Sequence, residues 1–136
     1  MDRMCDIISS SEEKKCGDIL SSNRDDFSEQ TKQLLAKRVG YRCSNPNCQK
    51  PTSGSNLDPN KATNIGVAAH ICAAAPRGPR YDPEMTAEER KSTRNGIWLC
   101  QSCSKLIDSD SLCYSKEVLN AWKKEAELTI WKIFRT

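Results

Sequence analysis

A small α+β domain, with two short strands framed by helices and clamped by four cysteines, is the fold class this sequence predicts. Three observations predict it. Cys43 and Cys48 form one close pair of cysteines, and Cys100 and Cys103 form a second pair far downstream. Two short apolar runs have strand character: Ile65 to Ile71, with the single histidine, His70, near its end, and Ile97 to Leu99, which leads directly into Cys100. Apolar residues recur at helical spacing both before the first cysteine pair and after the second.

The elements follow in order. Residues 1–26 are rich in Ser, Asp, Glu and Lys without periodicity, and are expected to form a mobile lead-in with at most a short helical turn. A domain is expected over 27–136. Ser28 can cap a helix that carries Leu34, Leu35 and Val39 and stops at Gly40. Tyr41 to Cys48 is a knuckle whose Asn and Pro residues supply the turn. Residues 49–63, broken by Pro51, Gly54 and Pro59, are expected to be loop. A strand should end near His70, and a Pro- and Gly-rich loop follows through Pro83. Thr86 and Glu89 make a capping-box pair for a short helix over 87–93. Ile97-Trp98-Leu99 is a buried strand, and a helix should run from Ser102 to about Asp108. Ser115 caps a last helix over 116–134. There Val118, Leu119, Trp122, Ala126, Ile130, Ile133 and Phe134 form the apolar face, with Lys123, Lys124, Glu125 and Glu127 turned mostly away.

Two thiolate knuckles can complete one tetrahedral zinc site, which would join the two halves of the chain. With 136 residues and 37% hydrophobic content, the apolar core is small and a structural metal would help it. Eight cysteines could instead form disulfides in a secreted protein, but residues 1–30 carry no signal-peptide pattern. Zinc in a cytoplasmic setting is therefore the expectation, with no membrane span anywhere in the chain. Cys5, Cys16, Cys72 and Cys113 lack paired spacing and are expected to be free thiols or core residues. The net charge of +3 does not announce a nucleic-acid binder. Its distribution is more telling: acidic residues gather before residue 30. Basic ones, from Lys32, Lys37, Arg38, Arg42, Lys50 and Lys61 to Arg77, Arg80, Arg90, Lys91 and Arg94, surround the proposed metal core.

From about Phe27 to Lys124 the chain resembles the HNH endonucleases of the ββα-metal superfold. The resemblance rests on Ala68-Ala69-His70-Ile71, the loop Gly78-Pro79-Arg80-Tyr81-Asp82, and Glu88-Glu89-Arg90. It continues through Asn95-Gly96-Ile97-Trp98-Leu99-Cys100 and Cys103 followed by Leu106-Ile107-Asp108. Several of these look like the HNH domains fused to sensor modules in bacterial antiviral defence effectors. The resemblance implies a DNA endonuclease in which His70 is the general base and Asn95 organises the loop that orients it. A catalytic Mg²⁺ or Mn²⁺ would sit over His70, and control would come from a sensor domain, a partner chain or a homodimer.

The chain departs from the family at its third motif position. The family places a metal-binding histidine directly after the second knuckle, and here that residue is Ser104. Position 69, often Asp or His in other branches, is Ala. Ser104 and Asp108, four apart on a helix, share a face and could both reach a metal, although a hydroxyl is a weaker ligand than imidazole. Asp108 could equally be a solvated residue or a helix-end cap. Arg77, Arg80 and Arg94 are candidate phosphate contacts; the plainer alternative is ordinary loop charge. The departures motivate a second reading, a zinc-stabilised nucleic-acid-binding or interaction module without turnover. A redox or zinc-storage role fits less well, because the partners of Cys100 and Cys103 lie far upstream.

Overall fold

The computed structural model describes residues 24–136. Most of the expected lead-in, residues 1–23, lies outside the described residues, as do Cys5 and Cys16. The remainder is a mixed α+β unit with four helices and two small antiparallel sheets.

Helix α1 spans Glu29–Arg38, and its first turn is capped by Ser28 Oγ, which accepts from Thr31 N at 3.1 Å. Gly40 follows with a positive φ of 61°, a left-handed turn that glycine adopts without steric cost. Strands β1 (Ser53–Ser55) and β2 (Ala62–Asn64) pair antiparallel, Gly54 opposite Thr63. This hairpin corrects the expectation of pure loop over 49–63. β2 is exposed throughout and β1 nearly so, and side-chain bonds such as Asn56 Nδ2 to Thr63 Oγ1 (2.9 Å) help hold the hairpin. Strands held by polar contacts leave no alternating apolar signature to read.

Strand β3 (Val67–His70) pairs antiparallel with β4 (Gly96–Leu99), which places His70 opposite Gly96. Between them lie α2 (Ala87–Lys91) and a 3-10 turn over Thr93–Asn95. The capping box forms: Glu89 N donates to Thr86 Oγ1 (3.1 Å) and Thr86 N donates to Glu89 Oε1 (2.8 Å). All four residues of β4 are buried, because both faces of the strand pair are covered. Ile97 and Leu99 pack with Ile107 and Leu119, while Trp98 packs with Phe27, Leu35, Ala36 and Val39 of the α1 side. A Cβ at Gly96 would come within 2.5 Å of Leu35 Cδ1 and 3.0 Å of Phe27 Cζ, so the close approach of these elements requires glycine there.

Helix α3 spans Gln101–Ser109, and α4 spans Lys116–Phe134 from its Ser115 cap. Two expectations for α4 need correction. Lys123 and Glu127 face inward: Lys123 Nζ donates to Gly96 O (2.7 Å) and Thr93 O (3.0 Å), and Arg38 holds Glu127 with two bonds of 2.9 and 3.0 Å. Conversely, Ile133 and Phe134 are not core, being 60% and 80% exposed. Nineteen residues extend about 28 Å, and the last turns run past the small core. No helix among the described residues is long and apolar enough to cross a membrane.

Candidate metal centre and histidine cleft

The two cysteine pairs meet. The Sγ atoms of Cys43, Cys48, Cys100 and Cys103 all lie within 4.8 Å of one another. A tetrahedral zinc with bonds near 2.3 Å separates its sulfurs by about 3.8 Å, and Cys48 and Cys100 stand 3.9 Å apart. Backbone turns build each knuckle. Cys48 N donates to Asn45 O at 2.9 Å, and Asn45 Oδ1 accepts from Asn47 N at 2.9 Å. On the other side Cys100 caps α3, its sulfur accepting from Cys103 N at 3.4 Å. Asn45 Nδ2 reaches across to Cys103 Sγ at 3.4 Å. N–H groups aimed at sulfur favour thiolate, as metal ligation requires.

Charge follows the same logic. Burial pushes the Cys43 thiol up and that of Cys103 to about 11. Burial also penalises the Cys100 thiolate, but bonds from Cys103 N and the neighbouring thiols outweigh it and hold Cys100 below the usual thiol range. Four convergent sulfurs, mostly buried and served by N–H donors, could hold a metal ion such as zinc. Among the described residues all six cysteines are free, and this is the only convergence of three or more His, Cys, Asp or Glu side chains.

His70 lies on an open cleft of about 810 Å³. The cleft is shared by Ser104 and Asp108 of α3, so the expected one-face placement four residues apart holds. Arg24, Arg77, Gln101 and Lys105 also line it. His70 stacks flat on Phe27, and its Nε2 lies 2.9 Å from the carbonyl oxygen of Asp25. A carbonyl can only accept, so Nε2 carries the proton and Nδ1 holds the free lone pair. Burial is the main influence on this imidazole and lowers its pKa, with Arg24 adding to the effect; the Asp25 carbonyl and the Asp25 and Asp26 carboxylates oppose it. The ring is therefore neutral at pH 7.

Among the described residues the Asn95 side chain makes no hydrogen bond to the His70 ring. It bonds the chain just beyond: Cys72 N donates to Asn95 Oδ1 (2.9 Å), and Asn95 Nδ2 donates to Cys72 O (2.9 Å) and Arg90 O (3.0 Å). Ile71 N also donates to Asn95 O at 2.8 Å. This clamps the end of β3, and so fixes where His70 stands.

The three arginines part company. Arg77 is exposed on the cleft, with a φ of 75° that is unusual for a side chain. Arg80 is turned inward, 7% exposed, and donates to Ile71 O (2.6 Å), Ile107 O (2.9 Å), Tyr114 O (3.3 Å) and Asp108 Oδ1 (2.8 Å). Its donors are spent on three backbone carbonyls and on Asp108, and it does not line the cleft. Arg94 is exposed but lies outside the cleft lining. Asp108 therefore shares one oxygen with Arg80, and Ser104 Oγ has no hydrogen-bond partner among the described residues.

Sequence reasoning gave Asp25 and Phe27 no place beside His70, and it set Arg90 only among the basic residues around the core and in the Glu88-Glu89-Arg90 motif. Residues 24–26, expected to belong to the lead-in, are docked on the site. Asp25 N donates to Ala74 O (3.1 Å), and the Asp25 carboxylate pairs with Arg90 at 3.3 Å. No local signal places an aspartate against a histidine 45 positions away. Compared with known proteins, the chain matches no family model and no curated protein.

Proposed function

We propose that this protein is a metal-dependent endonuclease of HNH type that hydrolyses phosphodiester bonds in DNA, with His70 as general base. One observation carries the reading. An imidazole with a free Nδ1 lies on the same open cleft as Ser104 and Asp108, on the helix that follows the second cysteine pair. The order of strand, loop, strand, knuckle and helix is also that of the family the sequence resembles. Zinc at the four cysteines is assigned a structural role, joining the α1 side to the β4–α3 junction.

In this mechanism Nδ1 of His70 takes a proton from water. The water oxygen forms a bond to phosphorus, the bond to the leaving sugar oxygen breaks, and that oxygen takes a proton from solvent. The lowered pKa suits the task, because the neutral base is present at working pH. Magnesium or manganese held by Ser104 Oγ, the second oxygen of Asp108 and waters would supply charge neutralisation at the phosphate. Arg77, with Arg24 and Lys105, would contact the backbone, so affinity should fall with salt.

The test is plasmid nicking with added Mg²⁺ or Mn²⁺. His70→Ala should lower the rate by about a hundredfold or more and keep the fold by circular dichroism. A folded His70→Ala protein that nicks like the parent ends the proposal. The bond from Arg80 to Asp108, beside a neutral serine, favours a second reading, a zinc-stabilised nucleic-acid-binding module without turnover. Ser104→His separates the two. A large gain from an inactive parent supports the binding module, and an already active parent excludes it.

A further inference from the structure

The segment ahead of α1 meets His70 through the Asp25 carbonyl and the Phe27 ring, and Arg90 holds it there. Arg90 sits in the last turn of α2 with its side chain 11% exposed. Its Nη1 donates to Asp25 Oδ2 at 3.3 Å, its Nη2 donates to Asp82 O at 2.9 Å, and its guanidinium lies 4.7 Å from the centre of the Tyr81 ring. Its Nε is buried without a partner among the described residues, so part of this burial is unfavourable. The Arg90 backbone carbonyl also accepts from Asn95 Nδ2. One residue thus ties both supports of His70. Through its side chain it holds the segment whose carbonyl meets the ring, and through its backbone it holds the asparagine that pins the end of β3.

We propose that Arg90 is a positioning residue. Its ion pair with Asp25 keeps the Asp25 carbonyl on His70 Nε2 and so commits His70 to the tautomer whose lone pair is on Nδ1. The structural half of this proposal stands on geometry alone. Its catalytic half rests on the nuclease reading above, and the two separate in the experiment. A histidine held by a defined acceptor is a better base than one free to exchange tautomers, since only one ring nitrogen can face the water.

His70 is the only histidine of the chain, so nitrogen NMR of the imidazole reports its tautomer without ambiguity. The variants are Asp25→Ala, which removes the carboxylate but leaves the carbonyl, Arg90→Met and Arg90→Lys. The full chain is used with metal bound at the cysteines. In the parent the Nε2–H form should dominate. In Asp25→Ala and Arg90→Met the ratio of Nε2–H to Nδ1–H should fall by about tenfold, the worth of one hydrogen bond, and Arg90→Lys should lie between. The nicking kcat should fall in step with the Nε2–H fraction measured for each variant, by about twofold where the ratio drops from about ten to about one, with KM within about twofold, because the substrate contacts are untouched.

Arg90→Met could fail to fold, and Asp25→Ala at the better-exposed partner then decides the matter. A folded Asp25→Ala protein with an unchanged tautomer ratio overturns the proposal. A ratio shifted until the Nε2–H form is the minor one, with unchanged nicking, upholds the tautomer clamp and removes His70 as the base. A parent that does not nick ends the nuclease reading and leaves the tautomer ratio to judge the clamp.

Discussion

The Phe27 ring lies flat against the imidazole of His70, with centroids 3.9 Å apart and planes within 7°. The contact joins a core aromatic, 6% exposed, to the proposed base. Phe27→Ala should therefore do two separable things. It should cost about 3 kcal/mol of stability through the cavity it opens, read from denaturant midpoints. It should also admit water to the imidazole, so that the His70 pKa rises toward 6.5, its ordinary value. An unchanged titration in a destabilised Phe27→Ala protein would mean that Phe27 does not account for the burial of the ring.

The same lowered pKa sets two pH dependences. Burial disfavours the protonated imidazole in the folded state, so below pH 6.5 the unfolded chain takes up the proton first. The contribution of His70 to stability is complete above pH 6.5 and is lost as pH falls from there toward the folded-state pKa. Nicking should follow the neutral fraction, with an acid limb in kcat/KM below pH 6.5. In Phe27→Ala the limb should move up. A limb that stays in place while the NMR titration moves would assign it to another group.

Metal removal should unfold the junction rather than merely silence the cleft. The four sulfurs join the knuckle after α1 to the start of α3, and burial of Cys43 and Cys103 disfavours their free thiolates. Elemental analysis should find one zinc per chain, and cobalt substitution should give thiolate charge-transfer bands. A metal held a thousandfold above its dissociation constant contributes about 4 kcal/mol, and a chelator should remove that much from the folding free energy. A chain that melts identically with and without chelator would deny the cluster its structural role.

Sequence and structure agree where local chemistry decides the outcome. Ser28, Thr86 and Ser115 cap the helices because a side-chain oxygen can meet a free N–H only at a helix start. The cysteine pairs converge because each knuckle is a local turn. What stayed illegible depends on distance. Arg80 and Arg90 look like surface charge in sequence, and only the tertiary arrangement turns them toward carbonyls and carboxylates. Lys123 reads as a wet-face residue for the same reason: nothing local shows that two carbonyls, Thr93 O and Gly96 O, await a donor. Ile133 and Phe134 failed in the opposite sense, since periodicity marks an apolar face but not where the core beneath it ends.

Arg77 and Arg80 make opposite predictions although only two residues separate them. Arg80 gives its donors to three carbonyls and to Asp108 from a buried position. Arg80→Met should destabilise the fold by about 3 kcal/mol, about 1 kcal/mol for each of the three carbonyls that loses its donor, while Asp108, a third exposed, returns to water. Arg77 is exposed on the cleft, and no described residue pairs with its charge. Arg77→Ala should leave the melting midpoint within about 0.5 kcal/mol of the parent. It should also weaken DNA binding uniformly across sequences and flatten the salt slope by about one unit. Binding isotherms at several salt concentrations, beside denaturant melts of both variants, distinguish the roles. If Arg80→Met melts like the parent while losing a phosphate's worth of salt dependence, the inward guanidinium is the contact after all. The cleft must then open to release it before DNA can bind.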